Sequence, residues 1–160
     1  MKYFGIAVFI FGVGVFVKSY ISYLKKKQAE CEAFLSLVCY MKIQIGCFMR
    51  SPKELISGFR CDALEKAGFL TEVENCSDMG EAYRKIRDRL SLSDKESVLL
   101  DGLFSSLGEV YYEESVRLLD TAQGELEVIV KSEREAAIKN TRLLSALSTT
   151  AALAVIMLII

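Results

Sequence analysis

The sequence predicts an all-α protein, a bundle of about six helices whose first and last continue into apolar segments at the two ends of the chain. Three observations lead there. Pro52 is the one proline in 160 residues, so a helix is almost nowhere forced to stop. Apolar residues recur at spacings of three and four, the period of a helix face and not of a strand. The chain is 52% hydrophobic yet 26% charged, and the two kinds are segregated. Apolar residues pile up at 3–24 and 143–160, while every acidic residue lies between Glu30 and Glu135. That segregation describes a polar midsection between two membrane-seeking ends.

The first end runs from Tyr3 to Val17 without a charge, about 22 Å of helix against a hydrocarbon core of about 30 Å. If Lys18 extends its ammonium to the interface, residues 3–24 can span, with Tyr20 and Tyr23 in the interfacial aromatic zone. The basic cluster Lys25-Lys26-Lys27 follows the apolar run, and no small-x-small site comes after it. This order predicts a retained anchor and not a cleaved leader. The last end, Leu143 to Ile160, has no charge over about 27 Å and predicts a second transmembrane helix, residues 143–160. Ser145, Ser148, Thr149 and Thr150 weaken its first half, although their hydroxyls can bond back to the helix; a buried core helix is the competing reading.

Orientation follows from the cations. Lys18, Lys25, Lys26 and Lys27 lie on the inner side of the first segment, against Lys2 outside it. Lys131, Arg134, Lys139 and Arg142 precede the second. Both ends therefore predict that residues 25–142 face the cytoplasm.

Within that domain, Cys31, Phe34, Val38, Met41, Ile45 and Phe48 form a heptad-like, coiled-coil stripe on a helix that leaves the membrane and runs to about residue 49. Ser51-Pro52-Lys53-Glu54 restarts the chain with a capping box, giving a short helix over 52–59 with Leu55, Ile56 and Phe59 inward. A helix over 62–72 carries Leu64, Ala67 and Leu70. A turn at Asn75-Cys76-Ser77-Asp78 leads to a helix over 78–90 with Met79, Ala82, Tyr83, Ile86 and Leu90 on one face. Ser93-Asp94-Lys95-Glu96 is a second capping box. Its helix, with Val98, Leu99, Leu103, Phe104 and Leu107 apolar, ends at a glycine cap, Gly108. From Val110 a long helix runs toward the second apolar end, with Tyr112, Val116, Leu119, Ala122, Leu126, Ile129 and Ala137 as its stripe.

Chemistry is hard to find. There is no histidine, and no glycine-rich phosphate loop or nucleophile elbow. Carboxylate pairs such as Glu113-Glu114 sit on solvated faces. The five cysteines are odd in number and lack a Cys-x-x-Cys pair, which predicts reduced packing residues in place of disulfides or a metal site. The net charge of −1 gives no field for nucleic acid. No enzyme activity, cofactor or small-molecule substrate is expected. One run stands out, Arg84, Lys85, Arg87, Asp88 and Arg89, with three readings: a contact for a partner, a contact for acidic lipid headgroups, or a plain solvated face; within it Arg84, Arg87 and Arg89 are the candidate partner-binding residues.

The layout resembles the stage III sporulation protein AB family over essentially the whole chain. The resemblance is carried by the Ser51-Pro52-Lys53-Glu54-Leu55 restart and by Leu92-Ser93-Asp94-Lys95-Glu96 leading into Leu100-Asp101-Gly102-Leu103-Phe104-Ser105-Ser106-Leu107-Gly108. Asn140-Thr141-Arg142-Leu143-Leu144 opens the closing apolar tail in the same manner. Glu109-Val110-Tyr111-Tyr112 departs from the acidic turn usual after Leu-Gly in that family. The resemblance implies a cytoplasmic domain similar to the helical domain of type II secretion platform proteins. It also implies a place in the sporulation channel complex, in the mother-cell membrane around the forespore. The implied partners are the complex's secretion-type ATPase, stage III sporulation protein AA, and other membrane proteins of the channel. A platform subunit of another secretion or pilus system is the alternative, and gene neighbourhood discriminates the two.

Overall fold

The computed structural model describes residues 2–48, 56, 58–76, 78–107 and 111–159, side chains excepted at 2–10, 47–48, 145, 147–149 and 151–159. Among these residues the chain is helical and contains no strand. The order is α1 (Lys2–Phe48), α2 (Asp62–Ala67), α3 (Phe69–Asn75), α4 (Met79–Ile86), a single 3₁₀ turn (Arg87–Arg89), α5 (Asp94–Ser106) and α6 (Tyr112–Ile159). The chain divides into two compact units, one of Lys27–Lys131 and one of Met1–Lys26 with Ser132–Ile160. The division falls close to residue 25 on the first side and at Ser132, ahead of residue 143, on the second.

The central unit is built on aromatic packing. From α1 the expected positions Cys31, Phe34, Val38, Met41 and Ile45 are buried, with Ala33 and Leu37 beside them. Phe34 lies 5.4 Å from Phe69 of α3, 5.9 Å from Tyr83 of α4 and 6.1 Å from Phe104 of α5, measured between ring centroids. Phe69 and Tyr83 also meet Phe104, at 5.4 and 5.5 Å. Four helices thus converge on one cluster of four rings, each within the range where offset and edge contacts are favourable. Leu119, Ala122 and Leu126 of α6 are buried as their spacing predicts.

Where the sequence expects one helix over 62–72, the structure has two. Gly68 breaks them by adopting φ 83°, the left-handed region that a side chain disfavours. Its N–H closes α2 on the Glu65 carbonyl at 3.0 Å, and its carbonyl accepts from Glu72 N–H at 3.1 Å to open α3. Of the 52–59 helix only Ile56, which is helical and buried, and the turn at Gly58–Phe59 lie among the described residues; the Ser51–Glu54 capping box and the Gly108 cap fall outside them. The helix expected over 78–90 ends its α-helical part at Ile86 and tightens into the 3₁₀ turn.

The second capping box closes as expected. The Glu96 carboxylate accepts from Ser93 N–H at 2.5 Å and from Ser93 Oγ at 2.8 Å, deep in the protein. Val98, expected on the apolar face of the same helix, is instead 65% exposed. Its position is a full residue off the stripe of Leu100, Leu103, Phe104 and Leu107, which are the buried ones.

Polar ties add direction to this packing. Glu30 is buried on α1, and its Oε2 accepts the Ser91 N–H at 2.6 Å. Lys42 pairs with Asp120 and donates to Gln123 Oε1 at 3.2 Å, linking α1 to α6. Tyr112 OH donates to the Gly46 carbonyl at 2.8 Å, a second link between the same helices.

In the terminal unit, the expected segments 3–24 and 143–159 lie within α1 and α6. Among the described residues, no helix is long and apolar enough to cross a membrane. The side chains of residues 3–10, 145, 147–149 and 151–160, which belong to the expected spans, lie outside those described. Phe11, Val15, Phe16, Tyr23, Ile138 and Leu143 are exposed.

Candidate functional site

The run 84–89 is positioned by α4 and the turn that ends it. Asp78 caps α4, its carboxylate accepting from Glu81 N–H at 3.2 Å. The helix then buries Met79, Gly80, Ala82, Tyr83 and Ile86, so Glu81, Arg84 and Lys85 are left on the outside. Gly80 is what lets α4 approach α5 this closely. A Cβ at that position would meet Ser105 Oγ at 3.0 Å and Ser105 Cα at 3.1 Å.

The cations of the run have different surroundings. Arg84 donates from Nε to Asp101 Oδ1 at 3.1 Å and from Nη2 to Ser105 Oγ at 2.6 Å, so its guanidinium is held across α5. Lys85 pairs with Glu81 one turn back at 3.0 Å and donates to Cys76 Sγ at 3.3 Å. The Glu81 hydrogen bond, then that to Cys76, pushes the Lys85 ammonium above its ordinary range. Arg87, Asp88 and Arg89 are exposed on the 3₁₀ turn. Of the three residues singled out from the sequence, Arg84 is therefore fixed against its neighbour on α5, and Arg87 and Arg89 are exposed on the turn. Asp101 and Ser105, one helical turn apart on α5, orient Arg84. Sequence reading passed over them because they sit in a helix noted only for its apolar residues.

Beneath this face Tyr83 is fully buried, its hydroxyl donating to Ser97 Oγ at 3.2 Å. Burial pushes the Tyr83 phenol upward from its ordinary range, against a smaller opposing effect of the Ser97 hydrogen bond. Burial, reinforced by Glu127, likewise pushes up the Cys39 thiol on α1. Among the described residues, no three His, Cys, Asp or Glu side chains cluster as ligands of one metal ion would.

A second feature lies between α5 and α6. An open groove of about 570 Å³ is lined by Asp94, Lys95, Val98, Leu99, Glu125 and Ile129. Its lining combines the apolar Val98, Leu99 and Ile129 with the charged Asp94, Lys95 and Glu125.

No family model, curated protein or solved structure matches this chain.

Proposed function

We propose that the chain is a non-enzymatic membrane scaffold. Its apolar ends, residues 3–24 and 143–160, root it in the cell membrane, and residues 25–142 form a cytoplasmic helical domain that docks a secretion-type ATPase. The channel complex would be of the kind implied by the resemblance to the stage III sporulation protein AB family, with the mother-cell membrane around the forespore as its seat. The observation that carries the reading is the continuity of two helices. α1 holds both the charge-free run at 3–17 and the core stripe from Cys31 to Ile45, and α6 holds both the buried Leu119, Ala122 and Leu126 and the charge-free tail. A domain whose first and last helices are also its anchors transmits force and position, which suits a platform.

Docking falls to the 84–89 face. Arg87 and Arg89 are offered on a short exposed turn whose base is fixed by Tyr83 and Arg84, so a partner finds preordered charge. The test is capture of the ATPase by the full-length chain in mild detergent. Arg87→Glu with Arg89→Glu should abolish capture at moderate salt while leaving the helical signal unchanged. Undiminished capture by that double variant would show the docking face to be elsewhere.

A further inference from the structure

The terminal unit carries its charge in a particular place. On α1 the exposed residues Phe11, Val15 and Phe16 are followed by Lys18, then by Tyr20 and Tyr23, then by Lys25 and Lys26. On α6 the exposed cations Arg134, Lys139 and Arg142 come first and the exposed Leu143 follows. A cleft of about 210 Å³ lined by Phe16, Tyr20, Asn140, Leu143 and Leu144 brings residues 16–20 of α1 level with 140–144 of α6. Lys18, Lys139 and Arg142 therefore stand at one level, where the apolar surface begins.

Their directions matter as much as their level. Lys18 is two residues from both Phe16 and Tyr20, which places it on the far side of α1 from the cleft. Arg142 is two residues from both Asn140 and Leu144 and lies on the far side of α6. Lys18 and Arg142 thus point away from the cleft, while Lys139, with Glu135 four residues before it, stands on the flank of α6 beside the cleft. No acidic residue occurs within four positions of Lys18 or Arg142, and the acidic residues of this unit are confined to Glu133 and Glu135. Cations that face away from their own protein, at the edge of an apolar surface and beside tyrosines, meet the chemistry of a negatively charged headgroup layer.

We propose that Lys18, Lys139 and Arg142 form a cationic collar, with Lys18 and Arg142 turned away from the cleft and Lys139 on its flank, that selects anionic phospholipid at the cytoplasmic face of the membrane. The proposal rests on the membrane-rooted reading and goes beyond it, because a merely apolar anchor accepts any lipid of suitable thickness. Headgroup phosphates bind the collar from outside while the acyl chains lie along Phe11 and Val15, seven and three residues before Lys18 on the same face of α1. Attraction falls with salt, as for any exposed charge pair.

The experiment uses the full-length chain in mild detergent, offered phosphatidylglycerol or phosphatidylcholine, with retained lipid counted by native mass spectrometry. Phosphatidylglycerol should be retained at least about tenfold more than phosphatidylcholine, the preference collapsing in Lys18→Gln/Lys139→Gln/Arg142→Gln and in high salt. Arg87→Gln/Arg89→Gln, which alters cations of the central unit, should leave it intact. Equal retention of the two lipids, preference surviving in the triple variant, or displacement of the lipid by millimolar inorganic phosphate would each overturn the proposal. The salt dependence of the unaltered chain keeps the test decisive should the triple variant fold poorly. A chain that stays monodisperse without detergent and carries no lipid would overturn the membrane reading itself. A detergent-requiring chain indifferent to headgroup overturns the collar alone.

Discussion

Two glycine-to-alanine substitutions in adjacent helices should change stability in opposite directions. Alanine is favoured over glycine inside a helix by about 1 kcal/mol. At Gly102, in α5, a new Cβ meets nothing within 4 Å, so Gly102→Ala should stabilise by about 0.5–1 kcal/mol. At Gly80 the same gain is opposed by contacts at 3.0 Å to Ser105 Oγ and 3.1 Å to Ser105 Cα. The hydroxyl can rotate, but the Cα cannot retreat unless α4 and α5 separate. Overpacking of that kind costs about 1–3 kcal/mol. Displacing Ser105 also strains the hydrogen bond at 2.6 Å that holds Arg84, a loss of about 1 kcal/mol. The net expectation for Gly80→Ala is a loss of about 1–3 kcal/mol. Urea unfolding of the full-length chain in mild detergent, followed by far-ultraviolet circular dichroism, reads this as a midpoint lowered by about 0.5–1.5 M at a slope of about 2 kcal/mol/M. Gly102→Ala should move the midpoint upward. If both variants were stabilised equally, α4 and α5 would not be in the close contact that fixes the base of the docking face.

Phe34→Ala removes the ring that meets Phe69, Tyr83 and Phe104, and should cost about 3–5 kcal/mol in the same assay. A loss below about 1 kcal/mol would mean that the four rings are not a common core. Alkaline pH should also destabilise the fold. Burial raises the Cys39 thiol and the Tyr83 phenol above their ordinary values of 9.0 and 10.0, so the unfolded chain releases these protons at lower pH than the folded one. Stability is then fully present below pH about 9 and falls as pH rises through the folded values. Tyr83→Phe should cost about 1 kcal/mol at neutral pH, through the lost bond to Ser97, and should flatten the alkaline decline. An unchanged decline would place the phenol in contact with water.

Much of this architecture is legible in residue spacing. The three-and-four repeat from Cys31 to Ile45 identifies the buried face of α1, and Met79, Ala82, Tyr83 and Ile86 do the same for α4. Capping chemistry placed the start of α5 at Ser93. What spacing could not supply is the sign of a backbone dihedral or the approach of two helices. Gly68 sits in a stretch whose apolar residues fit one helix, and only its left-handed φ divides α2 from α3. Gly80 reads as a weak helix residue until Ser105 is seen against it. Glu30, a carboxylate in an exposed-looking run, is buried because it receives the Ser91 N–H from a distant part of the chain. The candidate site was half legible. Charge clustering pointed to Arg84, Arg87 and Arg89, but the anchoring of Arg84 across α5 depends on Asp101 and Ser105, whose role is tertiary.

The membrane-rooted, inward-facing topology is tested most directly by labelling Arg87→Cys with a membrane-impermeant maleimide in carbonate-washed vesicles of opposite orientation. Labelling above the level of the unaltered chain in inverted vesicles, and not in right-side-out ones, is the predicted result. Labelling in right-side-out vesicles would reverse the orientation, and loss of the chain in the carbonate wash would contradict the anchoring.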